Sequence, residues 1–312
     1  MKSISILVYL NAGGINGKSS LARLQSACNN KNINYKIYIS EYPKHTKTLV
    51  NKIVEETKNI ENHRIVVVGG DGTLNEALHG LVFGGYNYPI AYFPSGTGND
   101  FARSLNLTLD ENKFLDELFL VKEEKVELIK AKNIKDNIDF VALNGIGIGF
   151  DAVVSNLHNV NKAKITRKFK KLSYISEIMN AYKESESYEA KIVVDDKTEY
   201  LFSNILFLSF MNNSYYGGGI KIDPYAYKNN NSIGLIVVKD VTKKIIPKLL
   251  YHVLFTKKQF EKTSNIIRIP GKKFKVFISE PRYIQTDGEV SMLKNIEMEL
   301  SLSNYPFYLV ER

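Results

Sequence analysis

The chain has 312 residues, 44% hydrophobic and 24% charged, proportions of a folded globular protein rather than a disordered one. No apolar run approaches the roughly 18 residues of a membrane span, and one cysteine, Cys28, excludes an internal disulfide and fits a reducing cytoplasm. Five histidines and that cysteine give no zinc-ligand spacing, and 42 basic against 33 acidic residues leave a charge of +9, which favours an anionic partner or simply solubility.

No secretory leader is expected, because the apolar stretch after Lys2 is short and runs into a glycine-rich turn. The first predicted strand, ISILVYL, leads into AGGINGKS, Ala12 to Ser19. That octet fits a relaxed phosphate-loop pattern, in which Lys18 would reach a phosphate. Yet no later strand ends in a bare metal-binding aspartate, since VVVGGD runs straight into glycines. Helical and strand patterns then alternate: SLARLQSACNN, INYKIYIS, HTKTLVNKIVEET, RIVVV, TLNEALHGLVF and YPIAYFP. The rhythm predicts an α/β layer with a mainly parallel sheet, whose ligands sit beyond the carboxyl ends of its strands.

Two turns lie at such ends. In RIVVVGGDGTLNEALHGL, Gly69, Gly70 and Gly72 surround Asp71, allowing positive φ and close approach of a ligand to the backbone. Amides there and at the following helix N-terminus can face phosphate oxygens. Thr73 is placed to cap that helix, with Glu76 completing a capping box. One βα unit later, YFPSGTGNDFARSLN repeats the device with Asn99 and Asp100 after its glycines.

From about Val126 short strands dominate: KVELIKAK, IDFVALNGIGIGF, AKIVVDD, YLFSNILFLSF, IGLIVVKD, IIRIP, KFKVFIS and IEMELSL. Helical segments interrupt them near residues 155–185 and 242–257. This predicts a β-rich second domain of sandwich type, residues 126–302, after a first domain of 1–125, with 303–312 a candidate to return to the first. A basic run, Lys162, Lys164, Arg167, Lys168, Lys170 and Lys171, with Lys183 downstream, either docks on anionic lipid or forms a solvated helix face. No nucleic-acid-binding motif accompanies it, so nucleic acid is not expected as a partner. Late in the chain, YIQTDGEV carries Asp-Gly, an ordinary hairpin signal.

Three stretches, GGDGT, PSGTGNDFAR about two dozen residues later, and NGIGIGFDA at Asn144 to Ala152, resemble the ordered signatures of one family. It is the diacylglycerol-kinase-like catalytic domain of bacterial soluble lipid kinases, and the likeness in organisation covers essentially the whole chain. The resemblance implies a Rossmann-like N-terminal α/β domain of the NAD-kinase and diacylglycerol-kinase type, followed by a β-sandwich lipid-substrate domain. It implies ATP as co-substrate, Mg²⁺, and a lipid acceptor met at an anionic membrane surface by a cytoplasmic enzyme resting on the inner membrane face. The reaction would carry the γ-phosphoryl group to the hydroxyl of diacylglycerol, giving phosphatidate in phospholipid biosynthesis. Alternatives are another acceptor (a sphingoid base or other glycerolipid) or a catalytically silent nucleotide- and lipid-binding regulator. A homodimer through exposed strand edges is compatible with such folds.

Residue by residue, the resemblance sets Asn11 in the family's Asn-containing glycine turn at the nucleotide, which makes AGGINGKS a decoy. Gly70, Asp71, Gly72, Thr73 and Asn75 fall at the phosphates, with Ser95, Gly96, Thr97 and Asp100 beside them. Asp71 and Asp100 become outer members of a carboxylate, water and Mg²⁺ network, whose third acid falls on Glu127, where aspartate is more usual. Asp287 and Glu289 become the catalytic pair, Glu289 as the base for the lipid hydroxyl and Asp287 orienting it. Asp100 favours the diacylglycerol kinase branch over sphingosine kinases. Relatives commonly carry Asp-Asp-Gly, serving a structural Mg²⁺, where this chain has Ser232-Ile233-Gly234, so a second metal is not expected; Asp223 nearby is left unassigned.

Overall fold

The computed structural model describes residues 2–10, 16–150, 182, 185–228 and 230–312. Two compact units emerge, Met1–Leu128 with Ser303–Arg312, and Ile129–Leu302. Asn11, most of the segment 155–185, and with it the basic run and Lys183, lie outside the described residues.

In the first unit β1 (Ser3–Tyr9), β2 (Asn34–Ser40), β3 (His63–Gly69) and β4 (Ile90–Pro94) pair in the order β2-β1-β3-β4, all parallel. The apolar runs of β1, β3 and β4 follow from being covered on both faces, as a buried parallel sheet requires, whereas β2 is the half-exposed edge. Helix α1 (Asn16–Asn30) sets Leu21, Leu24, Ala27 and Cys28 in a core with Ile4, Ile6, Val66 and Phe93. Helices α2 (His45–Thr57) and α3 (Asp71–Phe83) bury Val50, Ile53 and Val54, and Leu74, Ala77, Leu78 and Leu81. They approach so closely that a Cβ on Gly80 would stand 2.1 Å from the Lys47 carbonyl oxygen. Short helices α4 (Asp100–Ser104) and α5 (Glu111–Glu117) follow β4, and α5 adds Phe114 and Leu115 to the α1 side. α5 had no clear signal in the sequence pattern.

The second unit is antiparallel. Its strands are β5 (Glu123–Asn133, begun in the first unit), β6 (Ile138–Ala142), β7 (Gly145–Gly149), β8 (Tyr188–Val194) and β9 (Thr198–Met211). After a two-strand ribbon, β10 (Tyr215–Tyr216) and β11 (Ile220–Lys221), come β12 (Ile233–Lys239), β13 (Ile266–Gly271), β14 (Lys273–Ile278), β15 (Arg282–Thr286), β16 (Glu289–Leu293) and β17 (Ile296–Tyr308). The long β9 pairs with β7, β8 and β12; Leu208 and Phe210, two apart, enter a core with Ile146, Ile192, Leu235, Phe274 and Val276, and Ile205 joins them from beyond a shift in register. Beyond residue 302, β17 runs parallel to β4 with Phe307 opposite Ile90, inside the first unit.

Two readings of pattern need correction. IDFVALNGIGIGF is two strands, β6 and β7, broken at Leu143–Asn144. The segment 242–257 is a short helix, α6 (Ile246–Tyr251), continued by a π-helical turn, His252–Thr256, and followed by α7 (Gln259–Lys262). Among the described residues, no helix is long and apolar enough to cross a membrane.

Candidate active site

At the carboxyl end of β3 the chain passes through Gly70, extended at φ −93° and ψ −176°, straight into α3. The helix therefore begins at Asp71, and Thr73 lies within its first turn rather than capping it. An acid in a first turn suits the helix dipole. Glu76 does not close a capping box either: its Oε1 accepts the Lys44 amide at 2.8 Å, holding a residue of left-handed φ (71°) ahead of α2. The glycines also serve a different purpose from the one expected. None of Gly69, Gly70, Gly72, Gly96 and Gly98 has positive φ. At two of them space is the reason: a Cβ on Gly96 would fall 2.5 Å from the Cα of Gly70, and one on Gly69 2.6 Å from the Cβ of Thr73. The β3–α3 and β4–α4 turns touch backbone to backbone.

Polar bonds lock that contact. Asp71 accepts the Asp100 amide on Oδ2 at 2.9 Å and the Phe101 amide on Oδ1 at 3.1 Å, so it caps α4 from the neighbouring turn. The Gly69 carbonyl accepts the Ser95 amide at 2.8 Å and the Tyr92 hydroxyl at 3.0 Å. Burial first, then the charges of Asp71 and Asp100, hold the Tyr92 phenol protonated well beyond its ordinary range, so it serves as a donor. Asn99, at φ 51°, accepts the Gly96 amide at 3.0 Å and returns a bond to the Gly96 carbonyl at 2.9 Å. Arg103 pairs with Asp100 at 3.3 Å.

Gly70, Asp71, Gly72, Thr73 and Asn75 thus sit on one turn and helix start, with Ser95, Gly96, Thr97 and Asp100 on the other, drawn together. The Ser95 hydroxyl is buried without a hydrogen-bond partner, a polar atom aimed at no described group. Lys18, in the first turn of α1, is exposed. Glu127 is half-buried on β5, and among the described residues no three His, Cys, Asp or Glu side chains gather around one point. Asp71, Asp100 and Glu127 therefore form no protein-only cage. Asp71 and Asp100 do suit Mg²⁺ held through water and phosphate, the usual manner of an ion that dehydrates reluctantly.

In the second unit β15 and β16 form a hairpin in which Thr286 opposes Glu289. The two residues between, Asp287 (φ 47°) and Gly288 (φ 96°), are both left-handed, as tight hairpin turns require. Asp287 is itself a tie: its Oδ2 accepts the Leu143 amide at 2.8 Å, and its Oδ1 accepts the amides of Asn144 at 2.8 Å and Gly145 at 3.1 Å. Those bonds split the predicted long strand into β6 and β7. Asp287 therefore ties its own hairpin turn to the β6–β7 turn, and Glu289 stands exposed at the first position of β16.

Sequence reasoning missed two residues of this cluster. Asn212 and Asn213 each donate a carboxamide N–H to the Leu143 carbonyl, at 2.7 and 2.8 Å, while their amides bond to the Asn144 carbonyl. The signal available was a polar MNNS closing the longest apolar strand. The Asn144 Oδ1 at the centre is buried and has no partner. Asp223, unassigned from sequence, is fully buried and held by Arg268 Nε at 2.9 and 2.8 Å. Burial pushes its carboxyl up and Arg268 pulls it back. A Cβ on Gly234 would lie 2.2 Å from Asp223 Oδ2, which explains the glycine that survives in Ser-Ile-Gly.

The profile of the diacylglycerol kinase catalytic domain matches residues 4–131, and that of the YegS C-terminal NAD kinase beta sandwich-like domain matches residues 144–300. The chain belongs to the diacylglycerol-kinase-like family of lipid kinases. A Staphylococcus haemolyticus (strain JCSC1435) protein named "Putative lipid kinase" is 28% identical over 261 residues, 80% of this chain and 78% of its own. A Staphylococcus aureus (strain Newman) protein of the same name is 26% identical over 241 residues, covering 76% and 73%. Among solved structures, one described as "a putative diacylglycerol kinase from Bacillus anthracis str. Sterne" superposes with a TM-score of 0.72 at 22% identity, over 99% of this chain and 97% of its own. That likeness fixes the fold of this lipid kinase family member: an N-terminal α/β domain and a C-terminal β-sandwich-like domain.

Proposed function

We propose that the protein is an ATP-dependent lipid kinase that transfers the γ-phosphoryl group to the hydroxyl of diacylglycerol, forming phosphatidate. The observation that carries the reading is the glycine-to-glycine contact of the two turns, locked by Asp71, at the carboxyl ends of adjacent parallel strands. Such ends present unencumbered amides to phosphate. Gly70 to Thr73, Asn75, and Ser95 to Thr97 would hold the triphosphate, with Asn11 on the nucleotide and the lone Ser95 hydroxyl available to a phosphate oxygen. When bound, Mg²⁺ neutralises charge on the transferring phosphoryl group; Asp71 and Asp100 would hold it through water, with Glu127 assigned the outermost place.

In the reaction, the acceptor oxygen forms the new bond to γ-phosphorus as the bond to the ADP oxygen breaks, and Glu289 takes the hydroxyl proton. Asp287, with Asn212 and Asn213 behind the same turn, positions the hairpin that carries Glu289. The enzyme would work in the cytoplasm, resting on an anionic membrane face. Incubation of purified protein with γ-labelled ATP, Mg²⁺ and a panel of diacylglycerol, other glycerolipids and sphingoid bases is expected to label diacylglycerol. Glu289→Gln should lower turnover about a thousandfold with ATP affinity intact. Transfer to no lipid despite ATP binding would leave a nucleotide-binding regulator; transfer to a sphingoid base alone would replace the acceptor.

A further inference from the structure

The outer surface built by residues 221–262 in the second unit has the make-up of a membrane contact. Along Lys244, Lys248, Tyr251 and Phe255 the spacing keeps one face of α6 and its π-helical turn directed outward, while Ile246 and Leu249 enter the core beneath. Tyr251 is 55% and Phe255 64% exposed, and their rings stand 5.8 Å apart. Beside them Tyr225, 48% exposed, stacks on Phe260 at 5.8 Å, and Tyr227 is 67% exposed. Six exposed lysines frame these rings: Lys243, Lys244, Lys248, Lys257, Lys258 and Lys262. None of the six pairs with a described acid, whereas neighbouring Lys239 pairs with Asp240 at 2.9 Å. Glu261, the one acid from 241 to 262, receives the Tyr225 hydroxyl at 3.4 Å.

We infer that this surface seats the protein on an anionic phospholipid bilayer, the lysines meeting headgroups and Tyr251 and Phe255 entering the interface. Aromatic side chains beside basic ones match the headgroup zone, where amphipathic rings gain apolar contact and lysines gain anionic partners. Charge selects this occupant over a second copy of the chain, since a symmetric contact would set six lysines against six. The surface rests on the lipid-kinase reading for its purpose, because an acceptor that stays in its bilayer must be met there.

The test is sedimentation with vesicles of phosphatidylcholine alone and of phosphatidylcholine with phosphatidylglycerol. Wild type should bind the anionic vesicles selectively. The triple variant Lys257→Gln, Lys258→Gln, Lys262→Gln should bind about a hundredfold more weakly. Tyr251→Ser with Phe255→Ser should lose the part of the binding that survives raised salt. Both variants should keep wild-type melting and turnover on micelle-dispersed lipid, since every altered side chain is exposed. Variants that sediment like wild type, or a wild-type preference for duplex DNA over anionic vesicles, would overturn the assignment. Vesicle binding that follows the variants in a protein that phosphorylates no lipid would keep the surface and remove the kinase reading.

Discussion

Two aspartates beside glycines, Asp71 in GGDGT and Asp287 in TDGE, do the same mechanical work by opposite means. Each carboxylate reaches a distant segment and gathers its backbone amides: two at Asp100–Phe101 for Asp71, three at Leu143–Gly145 for Asp287. Their glycines differ. Those at the Asp71 turn have ordinary φ and answer to space, Gly69 to the Thr73 side chain and facing Gly96 to the Gly70 backbone; Gly288 stands in open space at φ 96°. The first turn is a packing device that sets two backbones side by side at the carboxyl end of the parallel sheet. The second is a conformational device that fixes the base of a hairpin whose next residue is exposed.

The comparison can be broken by substitution. Asp287→Ala leaves three buried amides without an acceptor and should lower unfolding free energy by about 4 kcal/mol in urea titrations, the largest effect expected. Gly96→Ala drives a methyl into Gly70 and should cost about 3 kcal/mol by overpacking, with loss of ATP binding by calorimetry. Asp71→Asn keeps one acceptor and loses the other, for about 1.5 kcal/mol. Gly288→Ala meets no atom and pays only for left-handed φ, about 1 kcal/mol. A Gly288→Ala penalty exceeding that of Gly96→Ala would invert the distinction drawn here. Last, burial pushes the Cys28 thiol up to about 11, so at pH 8 it stays protonated and should resist a thiol reagent until the first unit opens.

Much of this was legible in the chain. The apolar runs of β1, β3 and β4 announced a parallel sheet because both their faces are buried, and the two glycine turns marked where its ligand end lies. What local pattern could not carry was any bond between residues far apart in sequence. The break between β6 and β7 is caused by a carboxylate some 144 residues downstream, so IDFVALNGIGIGF reads as one strand. Thr73 looked like a cap because the cap rule is local, whereas the helix start is set by Gly70 and by what Asp71 binds across the turn. Glu76 looked like its partner until the Lys44 amide claimed it. The polar MNNS marks where Asn212 and Asn213 lie but not what they hold, and the Asp223–Arg268 pair carries no local signal, since each gains its role only when strands from separate parts of the chain meet.

The account turns on where a triphosphate sits, and a crystal structure with a non-hydrolysable ATP analogue and Mg²⁺ reads this directly. Phosphate oxygens within hydrogen-bond reach of the backbone at 70–73 and 97–98, with the Ser95 hydroxyl engaged, are the predicted result. Phosphates bound at Lys18, with that backbone bare, would contradict it.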